Sequence, residues 1–435
     1  MKMSFLISFF CLSLSAQEVP IPAPKKQGAA VLVKNAIIHI GNGQLIERGF
    51  LIFENGRISS VTSGEAPVFE GEVIDAAGKH VYPGLIALNT PLGLIEIDAV
   101  RATRDQSESG EINPNVRAIV GYNTDSRVTP TVRSNGILLA QVAPQDAMMS
   151  GLSSVVELDG WNWEDAVYKK DDAVYLDWPK MSVINAWWAP PADEQKKTME
   201  KKLSELSRAM EDAYSYFKAS NAKEPIKVDL RWEAMVPVFE KKRAVFIRAS
   251  HIKQIRAAIS LARKYDLRIV LVGANDAYLA LDLLKENNIP VVLEDTHGLP
   301  GREDEASDLY YRLPKMLTDA GILCAVNVKF SLGGNGPWNE RNLPFQAGQT
   351  AAYGLSKEEA LKCVTSYPAR ILGIDKTVGT VEEGKDATFL ICGGDLLDMK
   401  SSSVEYAFVR GRMIDLGNKQ IDLYNKFKAK YEKAE

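Results

Sequence analysis

The chain has 435 residues, of which 46% are hydrophobic and 25% charged, with a formal net charge of -4. This length buries a large core and fits about two domains at roughly 100–200 residues each, and the composition is that of a globular protein. The slightly acidic balance excludes the basic face of a nucleic-acid binder, and 4 histidines in all leave little material for a site built on several imidazole ligands.

Met1 to Gln17 reads as a cleavable signal peptide (1–17). Lys2 supplies the positive start, Phe5 to Leu14 a short apolar run, and Ser13, Ser15 and Ala16 a small-residue cleavage region. A secreted or periplasmic protein is expected, with no membrane partner, because the apolar run is too short to span a bilayer. Cys11 lacks a convincing lipobox. Cys324, Cys363 and Cys392 are few and odd in number, so they predict core thiols rather than a disulfide framework.

Glu18 to Gln27 is a proline-rich linker. Val31 to Val61 then alternates apolar and polar residues around hairpin signals at Gly41-Asn42-Gly43 and Asn55-Gly56. His39 falls in this pattern and reads as a sheet residue. After Pro83-Gly84, Leu85 to Leu88 is a buried strand that opens into a loop, and Ile137 to Val142 is another. Asp159 to Pro191 is aromatic-rich without clean periodicity (Trp161, Trp163, Tyr168, Tyr175, Trp178, Trp187, Trp188) and reads as an insertion, at about 159–191, that packs as a lid. Glu194 to Lys218 is an amphipathic helix with Met199, Leu203, Leu206, Met210, Ala213 and Phe217 on one side.

Strands and helices then alternate, which predicts a parallel sheet with crossover helices. The strands are Val245 to Arg248, Leu267 to Val272, Ile289 to Leu293 and Ile322 to Val326. Between them lie a helix marked by Ile252, Ile255, Ile259 and Ala262 and another from Ala277 to Lys285. Ser356 and Glu359 form a capping-box pattern for a helix running to Val364. Val378 to Cys392 and Val404 to Ile414 return to short strands with glycine turns.

Pro83, Gly84, Leu85 and Ile86 resemble the first barrel strand of the amidohydrolase superfamily, which runs Pro-Gly-Leu-Ile-Asp-x-His-x-His. The Gly379 to Phe389 run resembles the closing Gly-x-(Ile/Leu)-x-x-Gly-x-x-Ala-Asp-(Leu/Phe) of that superfamily, and Tyr367 to Gly373 its Asn-Pro-Ala-x-x-Leu-Gly. The layout from Asp229 to Gly354 is similar to the imidazolonepropionase-like branch. The resemblance implies an α/β fold: a (β/α)8 TIM-type barrel over 81–375 beside a small β-sandwich composed of 28–80 and 376–418.

The resemblance also implies one or two divalent metals at the barrel mouth, where bound water becomes a hydroxide nucleophile. The positions that should ligate them hold other residues. Asn89 and Pro91 stand for the two strand 1 histidines, Arg248 for the strand 5 histidine and Gly273 for that of strand 6. No Asp stands near Asn327 to Lys329 on strand 8, and Lys329 is the candidate there. His80, His251 and His297 lack a partner at zinc-ligand spacing. No metal cofactor is therefore expected. The alternative is a divalent metal held by Asn89 with the carboxylates Glu96, Asp98, Glu294 and Asp295, in the manner of Mg²⁺ or Ca²⁺.

Arg248, with Lys329, places positive charge where a metal would stand. Arg101, Arg104, Arg117, Arg127 and Arg133 follow strand 1, which suggests a pocket for an anionic small molecule. Glu96, Asp98, Arg101, Arg104, Asp295 and His297 are the candidate ligand-binding residues. Gly333-Gly334-Asn335-Gly336 lacks the Lys-Ser/Thr of a phosphate loop, and Ser150 to Ser154 lacks the pattern of a serine hydrolase. Two functions remain. One is an exported, metal-free pseudo-hydrolase that binds a ligand or forms a hetero-oligomer with a metal-bearing paralogue. The other is a hydrolase of non-peptide carbon–nitrogen bonds, such as cyclic amides, with an atypical site.

Overall fold

The computed structural model describes residues 29–222, 225–294, 296–331, 333–334 and 336–432. The expected leader over 1–17, the linker over 18–27 and Asp295 lie outside them.

Both ends of the chain contribute to one sheet. From the N-terminal side come Val31–His39, Leu45–Glu54, Arg57–Ser63, Glu72–Asp75 and His80–Pro83. Phe389–Cys392, Val404–Val409 and Arg412–Met413 come from the C-terminal side. Phe389 pairs with Pro83, and Cys392 with His80, in antiparallel register. The Asn55-Gly56 turn has positive φ at both residues, 51° and 80°, as a tight hairpin requires. Phe53, Phe389 and Phe408 meet with ring centroids 4.8–5.2 Å apart and form the centre of this core. The strands expected to form a sandwich hydrogen-bond as one continuous eight-stranded sheet, which brings Phe53 against Phe389 and Phe408 from strands that are not its neighbours. Val31–His39 explains the continuity: it pairs with Leu45–Glu54 on one edge and with Glu72–Asp75 and His80–Pro83 on the other.

The larger unit is built on two more sheets. Ala173–Asp177, Ala244–Ala249, Ile269–Gly273, Val291–Glu294 and Cys324–Asn327 run parallel in that order. Leu85–Thr90 and Ile137–Val142 form a second parallel pair, buried at all six positions of each strand. Burial on both faces is what makes such strands continuous apolar runs. The sheets are joined by a segment broken only at Ser153. Met149–Leu152 pairs antiparallel with Ala173–Asp177, and Ser154–Glu157 pairs antiparallel with Ile137–Val142.

Between Leu85–Thr90 and Cys324–Asn327 there is no ladder among the described residues. Other partners satisfy this seam. Ile86 N–H donates to Val364 O at 2.9 Å, Val326 N–H to Cys363 O at 3.0 Å, and Leu88 N–H to the Asn327 Oδ1 at 3.1 Å.

The aromatic stretch is not one insertion. Ala173–Asp177 is a strand of the main sheet with Tyr175 fully buried, whereas Trp187 and Trp188 are exposed. Its apolar run was masked in the sequence by flanking tryptophans that belong to loops. The following helix spans Ala192–Asn221 and buries Leu206, Ala209, Met210 and Ala213. Cys324, Cys363 and Cys392 are buried free thiols. Among the described residues no helix is long and apolar enough to cross a membrane.

Candidate functional site

Parallel strands in register bring their C-terminal ends into one row. Asp177 stands opposite Arg248, and Glu294 opposite Asn327. Gly273 stands opposite Ala249 and Leu293. Asn89 joins them from the second sheet with φ at 49°, a left-handed conformation that Asn tolerates better than most residues.

Arg248 is the centre of this row. Its Nε and Nη2 donate to Asn89 Oδ1 at 2.9 and 2.6 Å. Its Nη1 donates to Asp177 Oδ1 at 3.0 Å and its Nη2 to Pro144 O at 2.9 Å. The guanidinium lies 4.5 Å from the Tyr175 ring centroid, within cation–π range. Burial opposes its charge, but Asp177, Tyr175 and Glu294 more than offset that and hold its pKa above the ordinary value.

Asn89 bridges two charges: its Nδ2 donates to Glu294 Oε1 at 2.5 Å. Burial raises the Glu294 pKa, against the lowering effect of Arg248 and Asn89. A second network continues inward. Tyr175 OH donates to Gln141 Oε1 at 2.7 Å, and Gln141 Nε2 to Asp172 Oδ2 at 2.8 Å. Glu340, on the short helix Pro337–Asn342, is buried, and desolvation pushes its pKa up to about 8 despite a bond with Thr90; the charge of Glu294 adds to the rise.

Of the positions expected to replace ligands, the structure brings together Asn89, Arg248 and Gly273. Gly273 has φ of 84°, and a Cβ there would lie 2.6 Å from Ser250 Oγ and 3.8 Å from Glu294 Oε2. Pro91 is buried just past the strand, in a turn closed by Leu94 N–H on its carbonyl. Lys329 is exposed two residues beyond the row. Asn327 occupies the strand 8 position in its place, because the register with Glu294 ends the strand there.

The expected ligand-binding residues do not gather at Arg248. Glu96 accepts from Asn123 Nδ2 and Arg127 N–H, both at 3.3 Å. Arg101 is exposed and donates to Arg104 O at 2.7 Å. Arg104 bridges backbone to Ile95. Asp98 lies beside Gly336, and His297 is exposed. Arg117 pairs with Asp171 at 2.9 Å and Arg133 with Asp159 at 3.7 Å. Arg101, Arg117 and Arg133 thus spend donors on a carbonyl or a carboxylate other than those around Arg248.

Histidines are absent from the row. His39 and His80, both on the terminal sheet, meet through Nε2 and Nδ1 at 3.0 Å, and His39 Nδ1 lies 2.6 Å from Oε1 of Glu358 on the helix Lys357–Lys362. His251 caps the Ile252–Tyr265 helix. Sequence reasoning missed Asp177, Gln141 and Glu340 altogether and treated Tyr175 as part of a lid. The run Ala173-Val174-Tyr175-Leu176 has strand composition and could have revealed the first of these. Nothing local marks Glu340.

These features define a class by fold: a mixed α/β protein with a TIM-type arrangement of parallel strands and a polar cluster at their C-terminal ends. Residues 268–414 match the model of the amidohydrolase family. The fold is similar to that of an amidohydrolase from Thermotoga maritima MSB8, with TM-score 0.74 at 22% identity, over 88% of this chain and 99% of that one. It is also similar to molinate hydrolase, with TM-score 0.53 at 14% identity, over 90% and 95% of the two chains. In sequence the chain is 21% identical to amidohydrolase tasK of Hapsidospora irregularis over 431 residues. That match covers 87% of this chain but only 42% of the longer relative.

The divalent metal implied by the resemblance does not fit the donors at this mouth. A guanidinium has no acceptor and is not deprotonated in proteins, and Arg248 sits on the amide oxygen Asn89 would offer. Among the described residues no group of three or more His, Cys, Asp or Glu converges to hold a metal. The space lined by Gly273, Glu294, Thr296 and Tyr310 is a cavity of about 10 Å³, at the lower limit for a single water. A larger cavity of about 400 Å³ lies alongside, lined by Glu111, Asp146, Met148, Asp177, Trp178 and Lys202 among others.

Proposed function

We propose that this chain is a metal-free, non-hydrolysing protein of the imidazolonepropionase-like branch of the amidohydrolase superfamily, which binds a small molecule beside its plugged mouth. The observation that carries this reading is the Arg248 guanidinium held by Asn89 and Asp177. A fixed cation fills the place of a Lewis acid but cannot lower the pKa of a bound water as a metal does.

The 400 Å³ cavity that includes Asp177 is the ligand site, and its size falls within the range of about 300–1,000 Å³ usual for small-molecule pockets. Trp178, Met148 and Met199 give it apolar walls. Its polar lining is Glu111, Asp146 and Asp177 against Lys180 and Lys202, and Lys202 already pairs with Glu111 at 3.0 Å. A ligand with a cationic or zwitterionic group matches this balance better than the anion first expected. Export to the periplasm or beyond, and association with a metal-bearing paralogue, complete the proposal; co-purification from the native host tests the association.

The decisive measurement is metal analysis of protein produced in zinc-supplemented medium, with a hydrolysis screen over cyclic amides and other non-peptide C–N bonds. Substoichiometric metal and no turnover are expected. Stoichiometric zinc, or hydrolysis abolished by a chelator, would overturn the reading.

A second reading, hydrolysis of C–N bonds without metal, draws support from Glu340. Burial pushes this carboxyl up to about 8, the direction of shift that general-acid work needs. Turnover that is insensitive to chelators and lost in Glu340→Gln would favour it.

A further inference from the structure

A cavity of about 530 Å³, lined by Arg57, Tyr168, Asp386, Arg410 and Arg412 among others, opens where the terminal sheet meets the barrel. It lies at the opposite end from Asn89. Arg410 and Arg412 both reach Glu157, which stands opposite Leu139 near the start of its strand, whereas Thr90 stands opposite Val142 at the end.

Two hairpins bring the arginines together. Arg57 follows the Asn55-Gly56 turn, and Arg410 opens the turn before Arg412. Gly56 lets them approach: a Cβ there would sit 3.1 Å from Arg410 O. Each guanidinium carries five N–H donors, and their observed partners leave a surplus. Arg57 Nη1 donates to Gly384 O at 2.8 Å and lies 3.6 Å from Asp386 Oδ1. Arg410 Nε lies 2.5 Å from Glu157 Oε1, and its guanidinium stacks 4.9 Å from the Tyr168 ring centroid. Arg412 Nη2 is 3.2 Å from Asp159 and 3.5 Å from Glu157. The Nε of Arg412 is buried without an acceptor, and a buried donor without a partner is costly. Tyr168 OH bonds Thr377 Oγ1 at 2.6 Å and Asp386 Oδ2 at 2.8 Å, which fixes its ring at the cavity wall beside Arg410.

We propose that this cavity binds the oxyanion group of a small molecule, a phosphate or a carboxylate, between Arg57 and Arg410, with Arg412 as a further donor. Planar guanidinium forks suit both anions, because each presents two oxygens to parallel N–H bonds. Tyr168 forms an aromatic wall for the rest of the ligand. The site is independent of the mouth, so its affinity and the metal content fail or hold separately.

The test is calorimetric titration of the full chain with inorganic phosphate and, in a second arm, with succinate. Saturable binding of at least one is expected. Phosphate alone would indicate a phosphate ester as the natural ligand, and succinate alone a carboxylate; either supports the site. Arg57→Gln, at a largely exposed side chain, should weaken that binding about tenfold. Arg410→Lys, which keeps the charge but loses the fork, should weaken it similarly, with thermal melts confirming that both variants fold. Absence of saturable binding for both anions, or unchanged affinity in a folded Arg57→Gln, would overturn the proposal.

Discussion

Arg248 and Glu340 show how single side chains set the character of the mouth. Replacing Arg248 by Met removes the cation and leaves the buried Asn89 oxygen without its donor, whereas Asp177, about a third exposed, can turn to water. A buried acceptor left unsatisfied costs about 1–3 kcal/mol, so Arg248→Met should lower the unfolding free energy by about that much in urea denaturation. Glu340 makes a pH-dependent contribution. Its folded pKa, about 8, lies above the ordinary carboxylate value because burial favours the neutral acid. The native state therefore binds more protons than the unfolded chain between those values, and stability falls as pH rises through that window. Glu340→Gln stays neutral throughout. It should match the wild type near pH 5 and exceed it at pH 8, which denaturant melts at the two pH values will check.

At the scale of elements, helix Ile252–Tyr265 shows local rules at work. Its buried stripe, Ile255, Ala258, Ile259 and Ala262, follows helical spacing. His251 accepts from Lys253 N–H at 3.2 Å, and Gln254 returns a bond to the His251 N–H at 3.0 Å. His251→Ala should cost about 1 kcal/mol, the usual worth of an N-cap, read as a shift in the urea midpoint. Such helices were legible because their determinants lie within a few residues of one another. The strand Ala173–Asp177 was not, since only its partners on either side distinguish it from the aromatic loops around it.

At the scale of the whole molecule, the seam between Leu85–Thr90 and Cys324–Asn327 is the feature with most leverage. Asn327 spans it with one side-chain bond to Leu88 N–H. Asn327→Ala leaves that buried donor unsatisfied, at a cost of about 1–3 kcal/mol. Faster hydrogen exchange at Leu88 should accompany the loss of stability and locate it at the seam. The chain by itself determined the alternation of strands and helices, the return of the C-terminus to the N-terminal sheet pattern, and the shortage of imidazole, because composition and periodicity are properties of the order of residues. Only the tertiary structure decided that Arg248 grips Asn89, that Asp177 and Glu294 flank them, and that Arg57, Arg410 and Arg412 share one cavity. Those residues come from distant parts of the chain, and strand register and hairpin packing, not spacing in the sequence, bring their charges within reach of one another.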